Sequence, residues 1–121
     1  MNDFKRYNFK KLKIWQMGLE LSKFTLDLTD TFPTYEKYGL KSQMDRYSIS
    51  IPSNIAEGCS RSSNKDFSRF LEIAIGSIFE IETQLLISFD LGYINQIKLD
   101  ELCFNLDRIV KMTSKFRSTL V

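Results

Sequence analysis

The stretch Leu99–Leu120 reads LDELCFNLDRIVKMTSKFRSTL, and it decides the fold. Leu99, Leu102, Leu106, Ile109, Thr113, Phe116 and Leu120 keep a strict alternation of three- and four-residue steps. Residues at that spacing share one face of an α-helix, and an apolar face sustained this far needs other helices to cover it. The rest of the chain supplies them.

Upstream, Ser63 and Asp66 have capping-box spacing, in which a hydroxyl meets the first free amides of a helix. Phe67, Leu71, Ala74, Ile78, Ile81 and Leu85 follow at helical steps, and Phe70, Phe79, Leu86 and Phe89 widen the arc. Gly92 suits the left-handed residue just past the helix end. Another run holds Leu40, Met44, Tyr47, Ile51 and Ile55 in register, with Pro52 inside it. Proline removes a backbone bond, so this helix is expected to bend near Pro52. The first run puts Ile14, Met17, Leu21, Phe24 and Leu28 on one face, flanked by Leu12, Trp15, Leu19 and Leu26, and stops at Thr31-Phe32-Pro33. Nothing reads as a strand. Four helices of roughly 20–28 residues on short loops predict an all-α, antiparallel up-down-up-down four-helix bundle. Residues 1–121 are expected to form one domain, with residues 1–8 a basic leader.

Composition fits. The chain has 121 residues, 43% hydrophobic and 26% charged, which is ordinary material for one globular domain. Its five glycines and two prolines are about half the usual share, so turns are few and elements long. There is no histidine. That removes the usual general base, the commonest metal ligand and the Glu-x-x-His pairs of di-iron bundles. Cys59 and Cys103 stand alone, without the ligand spacing of zinc, and read as free thiols in a reducing cytoplasm. No apolar run approaches the roughly 18–20 residues that span a bilayer, and the N-terminus has no apolar signal region. The expectation is a cytoplasmic protein with no metal, no cofactor and no membrane contact.

Catalytic constellations are sparse. Glu80 and Glu82 lie two apart on a helix and cannot face each other, and Glu72 and Glu80 share a face as surface carboxylates often do. A pocket gathering Glu57, Arg61, Arg69 and Glu72 would favour an enzyme. Gly18 and Gly76 each cost about 1 kcal/mol against alanine inside a helix, so they are expected to mark close helix–helix approach. The segment Ser50–Gly58 has two open readings: a helix whose freed carbonyl is met by a hydroxyl, or a contact surface.

Charge is the stronger signal. The net +2 divides unevenly along the chain. Lys5, Arg6, Lys10, Lys11 and Lys13 against Asp3 give +4 over residues 1–13. Arg108, Lys111, Lys115 and Arg117, with no acid, give +4 over residues 108–121, and residues 14–107 carry −6. An up-down-up-down bundle brings both termini to one end, which becomes a basic end of the kind that attracts phosphate backbones.

The chain also resembles the four-helix-bundle family of 23S rRNA intervening-sequence proteins. The resemblance rests on Phe9-Lys10-Lys11-Leu12-Lys13-Ile14-Trp15-Gln16, Phe32-Pro33, Tyr38 to Met44, Ser50 to Gly58, Phe67 to Ala74, Gly76-Ser77, Glu80 to Leu85 and Leu91-Gly92-Tyr93. It covers nearly the whole chain in order. Ser50, Asn54, Glu57, Gly58, Arg69, Glu80 and Gln84 match the family's polar signature, as structural or interface residues. Asp45-Arg46-Tyr47 departs from it, where the family more often has two basic residues and a small one. Related accessory proteins of diversity-generating retroelements are barrel-shaped pentamers that bind nucleic acid and a reverse transcriptase. The resemblance thus implies a bacterial homo-oligomer, a pentamer, with a binding role and no catalysis.

Together these readings predict a non-enzymatic oligomeric bundle that binds structured RNA or DNA through Lys5, Arg6, Lys10, Lys11, Lys13, Arg108, Lys111, Lys115 and Arg117. The alternative is a scaffold that docks a partner protein on a ring of bundles.

Overall fold

The computed structural model describes residues 8–121. Lys5 and Arg6, and all of the basic leader except Asn8, lie outside the described residues. Four α-helices follow one another: α1 Lys13–Thr29, α2 Leu40–Cys59, α3 Asn64–Asp90 and α4 Gln96–Ser118. Two short 3₁₀ turns, Phe9–Lys11 and Thr34–Glu36, precede α1 and α2, and no strand occurs among the described residues.

Contacts fix the helix directions. Between α1 and α2, Gly18 faces Pro52, Ser22 bonds Ser48 and Thr29 bonds Asp45. Between α2 and α3 the pairs are Gly58 with Phe67, Ser50 with Ser77 and Met44 with Ser88. Between α3 and α4, Phe67 meets Phe116, and Glu82 lies beside Cys103. Numbers rise along one helix as they fall along its neighbour, so adjacent helices run in opposite directions. The centre is filled by the periodic side chains: Met44, Ile51, Ile55, Leu71, Ile78, Ile81 and Leu106 are fully buried.

The helix ends follow their sequence signals. Ser63 accepts from the Asp66 amide at 3.1 Å, and Asn95 accepts from the Lys98 amide at 2.8 Å. After α3, the Gly92 amide donates to Phe89 O and the Tyr93 amide to Ser88 O. Gly92 has φ +81°, the left-handed residue of this closing motif. Glu36 does the capping that Gly39 lacks, its Oε1 accepting from the Leu40 amide at 3.0 Å. Asp45, the departure from the family pattern, closes the α1–α2 seam by accepting from Thr29 and Lys41.

α2 continues through Pro52 without a break. Proline leaves the Ser48 carbonyl without its helical donor, and the Ser22 hydroxyl of α1 donates to that oxygen at 2.6 Å. Gly18 makes room for this docking: a Cβ there would lie 3.3 Å from Ile51 Cγ2 and 3.4 Å from Pro52 N. Of the two helix glycines, therefore, Gly18 marks a close approach. Gly76 does not. It lies on the exposed side of α3, and a Cβ there would meet nothing within 4 Å. The tightest glycine is Gly58, whose Cβ would fall 2.7 Å from the Phe67 ring.

Candidate nucleic-acid interface

The antiparallel order brings the start of α1, the α2–α3 turn and the end of α4 to one end of the bundle. Phe9–Lys11 is held there by local chemistry. Asn8 Oδ1 accepts from the Lys10 amide at 3.2 Å, Gln16 Nε2 donates to Lys10 O at 2.9 Å, and the Phe9 ring meets Trp15 edge-on at 5.1 Å. With the backbone pinned, Lys10, Lys11 and Lys13 point outward and are exposed. On α4, Lys115 and Arg117 occupy the last turn, where the helix dipole favours cations.

The basic residues named from the sequence do not all stay available. Arg117 Nε donates to Ser68 Oγ at 2.7 Å and to Ser68 O at 3.1 Å, and its NH2 lies 3.6 Å from Glu72. It clamps α4 to α3. Lys111 pairs with Asp107 at 2.9 Å on the open surface, a contact of small energy. Arg108 sits about 15 Å down α4 from its C-terminal end, ten residues at 1.5 Å rise. There it shares a cleft of about 90 Å³ with Glu20 and Asn105. Lys10, Lys11, Lys13 and Lys115 make no ion pair within the described residues.

The same end carries cations that the segment count hides. Arg61, Lys65 and Arg69 belong to the α2–α3 turn and the first turns of α3. Between Glu57 and Glu72 these three are cancelled by three acids, so summing the sequence by segment gives zero. The acids are partly occupied: Glu57 pairs with Arg61 at 2.6 Å and Glu72 is drawn to Arg117. The Arg61 guanidinium lies 4.5 Å over the Phe70 ring, and that of Arg69 lies 5.9 Å away. The four residues whose gathering would mark an active site are thus engaged with Arg117 and Phe70 and with one another as surface ion pairs. Among the described residues no group of three or more His, Cys, Asp or Glu is placed to hold a metal ion.

The opposite end is acidic. Residues 29–40 carry Asp30 and Glu36 against Lys37, and residues 90–101 carry Asp90, Asp100 and Glu101 against Lys98. Glu36 is held in its charged form, below the ordinary carboxylate value, by the Tyr93 hydroxyl at 2.7 Å and then by the Leu40 amide.

The polar signature divides in two. Ser50, Gly58 and Gln84 lie on the α2–α3 seam: Ser50 bonds Ser77, Gly58 packs on Phe67, and Gln84 is buried, facing Gln43; Asn54 Nδ2 donates to Ser50 O at 2.8 Å within α2. Glu57, Arg69 and Glu80 are exposed.

Two of the open grooves along α1 start near this end. One, of about 370 Å³, lies between Leu12, Lys13 and Ile14 of the first turn and Met112, Lys115, Phe116 and Thr119 of α4. The other, also about 370 Å³, lies between α1 and α2, with Trp15, Leu19, Leu26, Ile49, Pro52 and Ala56 on its walls.

Fold and site together define a class: a four-helix bundle with one basic and one acidic end. Residues 10–115 match the model of the 23S rRNA-intervening sequence protein family, and the chain belongs to that family. It is similar to the crystal structure of a protein of unknown function from the S23 ribosomal protein family of Bacteroides thetaiotaomicron VPI-5482. The two share 23% identity with a TM-score of 0.81, over 87% of this chain and 95% of that one. No curated protein matches the chain. No helix among the described residues is long and apolar enough to cross a membrane.

Proposed function

We propose that this chain is a non-enzymatic, oligomeric bundle of the bacterial cytoplasm that binds structured RNA or DNA through its basic end. One observation carries the reading: Lys10, Lys11, Lys13 and Lys115 converge on one end of the bundle with no carboxylate partner among the described residues. Cations without protein partners release counterions when they meet phosphates, and that release drives binding. Arg61, Lys65 and Arg69 extend the same surface. Affinity for an RNA or DNA duplex should fall steeply with salt. Changing Lys10, Lys11 and Lys13 to Gln together should flatten the log–log salt slope by about 3, at roughly 0.9 per phosphate contact. A protein that binds neither duplex at low salt overturns the reading.

The apolar walls of the α1–α2 groove favour a second reading, a scaffold that docks a protein. It predicts a co-purifying protein that survives nuclease and high salt. The homo-oligomer draws support from apolar residues left exposed on other helices: Phe79 and Leu86 on α3, seven residues apart, and Ile97 and Phe104 on α4, likewise seven apart. Stripes of this kind mark interfaces. The resemblance to pentameric accessory proteins supports five subunits.

A further inference from the structure

The acidic end carries aromatic surface that the bundle itself does not use. Tyr35, Tyr38 and Ile97 are 77%, 88% and 80% exposed, more than any other large apolar side chain among the described residues, the last residue Val121 aside. The α1–α2 and α3–α4 loops around them are locked together. The Tyr93 hydroxyl donates to Glu36 at 2.7 Å and lies 3.2 Å from the Tyr35 hydroxyl, and the Phe32 and Tyr93 rings are 5.1 Å apart. The cap is therefore preformed. It already holds one cation, Lys37 Nζ at 5.4 Å over the Tyr38 ring, by the attraction of a ring face for positive charge. Around it, residues 27–41 and 90–101 carry six carboxylates against three lysines. Lys98 goes to Glu101 at 3.4 Å and Asp100 accepts from the neutral Gln96 amide at 2.8 Å, which leaves Asp90 and Asp100 without a cation among the described residues.

The geometry points to this acid-rimmed aromatic cap as the seat for the basic end of a second copy of this chain, so that bundles stack end to end. Two features select that occupant. The cap suits cations that can lie on rings and meet carboxylates, and the opposite end of the same chain presents Lys10, Lys11, Lys13 and Lys115, with Arg61, Lys65 and Arg69 beside them. The two surfaces also lie at opposite ends of one bundle. A copy seated on the cap offers its own cap to the next, so the contact repeats along the bundle axis instead of closing. Exposed ion pairs are individually small, so stacking depends on several acting together at low salt, where screening is weak. It uses the ends alone and leaves the sides free for lateral assembly. One consequence rests on the proposed nucleic-acid reading: phosphates and the acidic cap compete for the same lysines, and stacking covers the basic end until nucleic acid displaces the neighbour.

The test is the mass of the full chain in light scattering at low salt and at about 0.5 M salt, over a range of protein concentrations. At low salt the mass should climb with concentration to at least twice its high-salt value. The triple variant Lys10→Glu, Lys11→Glu, Lys13→Glu and the triple variant Asp90→Lys, Asp100→Lys, Glu101→Lys, all at exposed positions, should each stay at the high-salt mass. Mixed in equal amounts they should stack again, because the acids gained by one meet the lysines gained by the other. Tyr38→Ala, which leaves every charge in place, should weaken stacking about threefold, the scale of an exposed cation–π contact. A mass that does not change with salt or concentration overturns the proposal, and so does growth that either triple variant keeps on its own. No effect of Tyr38→Ala reduces the cap to bare acids and overturns its assignment as the seat. A short RNA duplex added at low salt should break the stacks. A duplex that binds and leaves them intact overturns the shared use of the lysines; one that does not bind overturns the nucleic-acid reading while the stacks stand.

Discussion

Pro52 and Ser22 are one unit divided between two helices. The Ser48 carbonyl is buried, has lost its helical donor to the proline ring, and accepts from the Ser22 hydroxyl. A buried acceptor left without a donor costs about 1–3 kcal/mol. Ser22→Ala should therefore destabilise the bundle by that amount in chemical unfolding. In a Pro52→Ala background the same change should cost less, because an alanine there supplies the amide that proline lacks. A double-mutant cycle with no coupling would show that the hydroxyl has no such role. A second residue-scale consequence concerns Cys59. Burial lifts its thiol from the ordinary value to about 11, because the thiolate loses its hydration. Between about pH 9 and 11 the folded chain then holds a proton that the unfolded chain has released, so stability falls as pH rises through that window. Cys59→Ala should flatten that part of the curve. The difference between the two curves isolates the thiol from Lys41 and Tyr93, whose protonated forms the fold also favours.

At the scale of elements, two glycines of the α2–α3 pair should respond in opposite directions. Gly58→Ala pushes a methyl into the Phe67 ring, which is fully buried and cannot swing away, and should cost about 1–3 kcal/mol. Gly76→Ala meets open space on an exposed helix face and should raise stability by about 1 kcal/mol through helix propensity. Thermal unfolding of the two variants checks both signs. The contrast also shows what periodicity can carry. The register Phe67, Leu71, Ala74, Ile78, Ile81, Leu85 was legible and became the core of α3. Gly76 stands off that register, and its exposure follows from the spacing once the face is known; a helix glycine alone does not say which side it is on. The two 3₁₀ turns left no trace in the pattern, because three residues are too few to show a period. The donor for Ser48 was legible as a need, from Pro52. Its supplier, 26 residues upstream, was not, because that pairing depends on how α1 and α2 are set against each other.

For the whole molecule, charge divides the two ends, while apolar surface is exposed along the sides as well. Charge runs along the bundle, from the basic end to the acidic one. Segment sums revealed the terminal part of it but missed Arg61, Lys65 and Arg69, because acids beside them in sequence cancel cations that topology adds to the same end. The sides carry exposed apolar surface as well: the α1–α2 groove with Ile49, and the stripe of Phe79 and Leu86 on α3. The proposed oligomer, if it seats the ridge of one chain in the groove of the next, would be a head-to-tail ring. Light scattering should then give a mass several times 14.2 kDa. Phe79→Asp should disable the ridge and Ile49→Glu the groove, each giving a single chain with its helix content intact, since both side chains are exposed in one bundle. Mixing these two variants distinguishes the geometries. In a head-to-tail ring each still has one good surface, so the mixture should form a species of twice 14.2 kDa and stop there. A two-fold interface, built from one patch on both chains, would leave the variant altered at the other patch dimeric on its own, before any mixing. An unaltered protein of single-chain mass would remove the oligomer altogether.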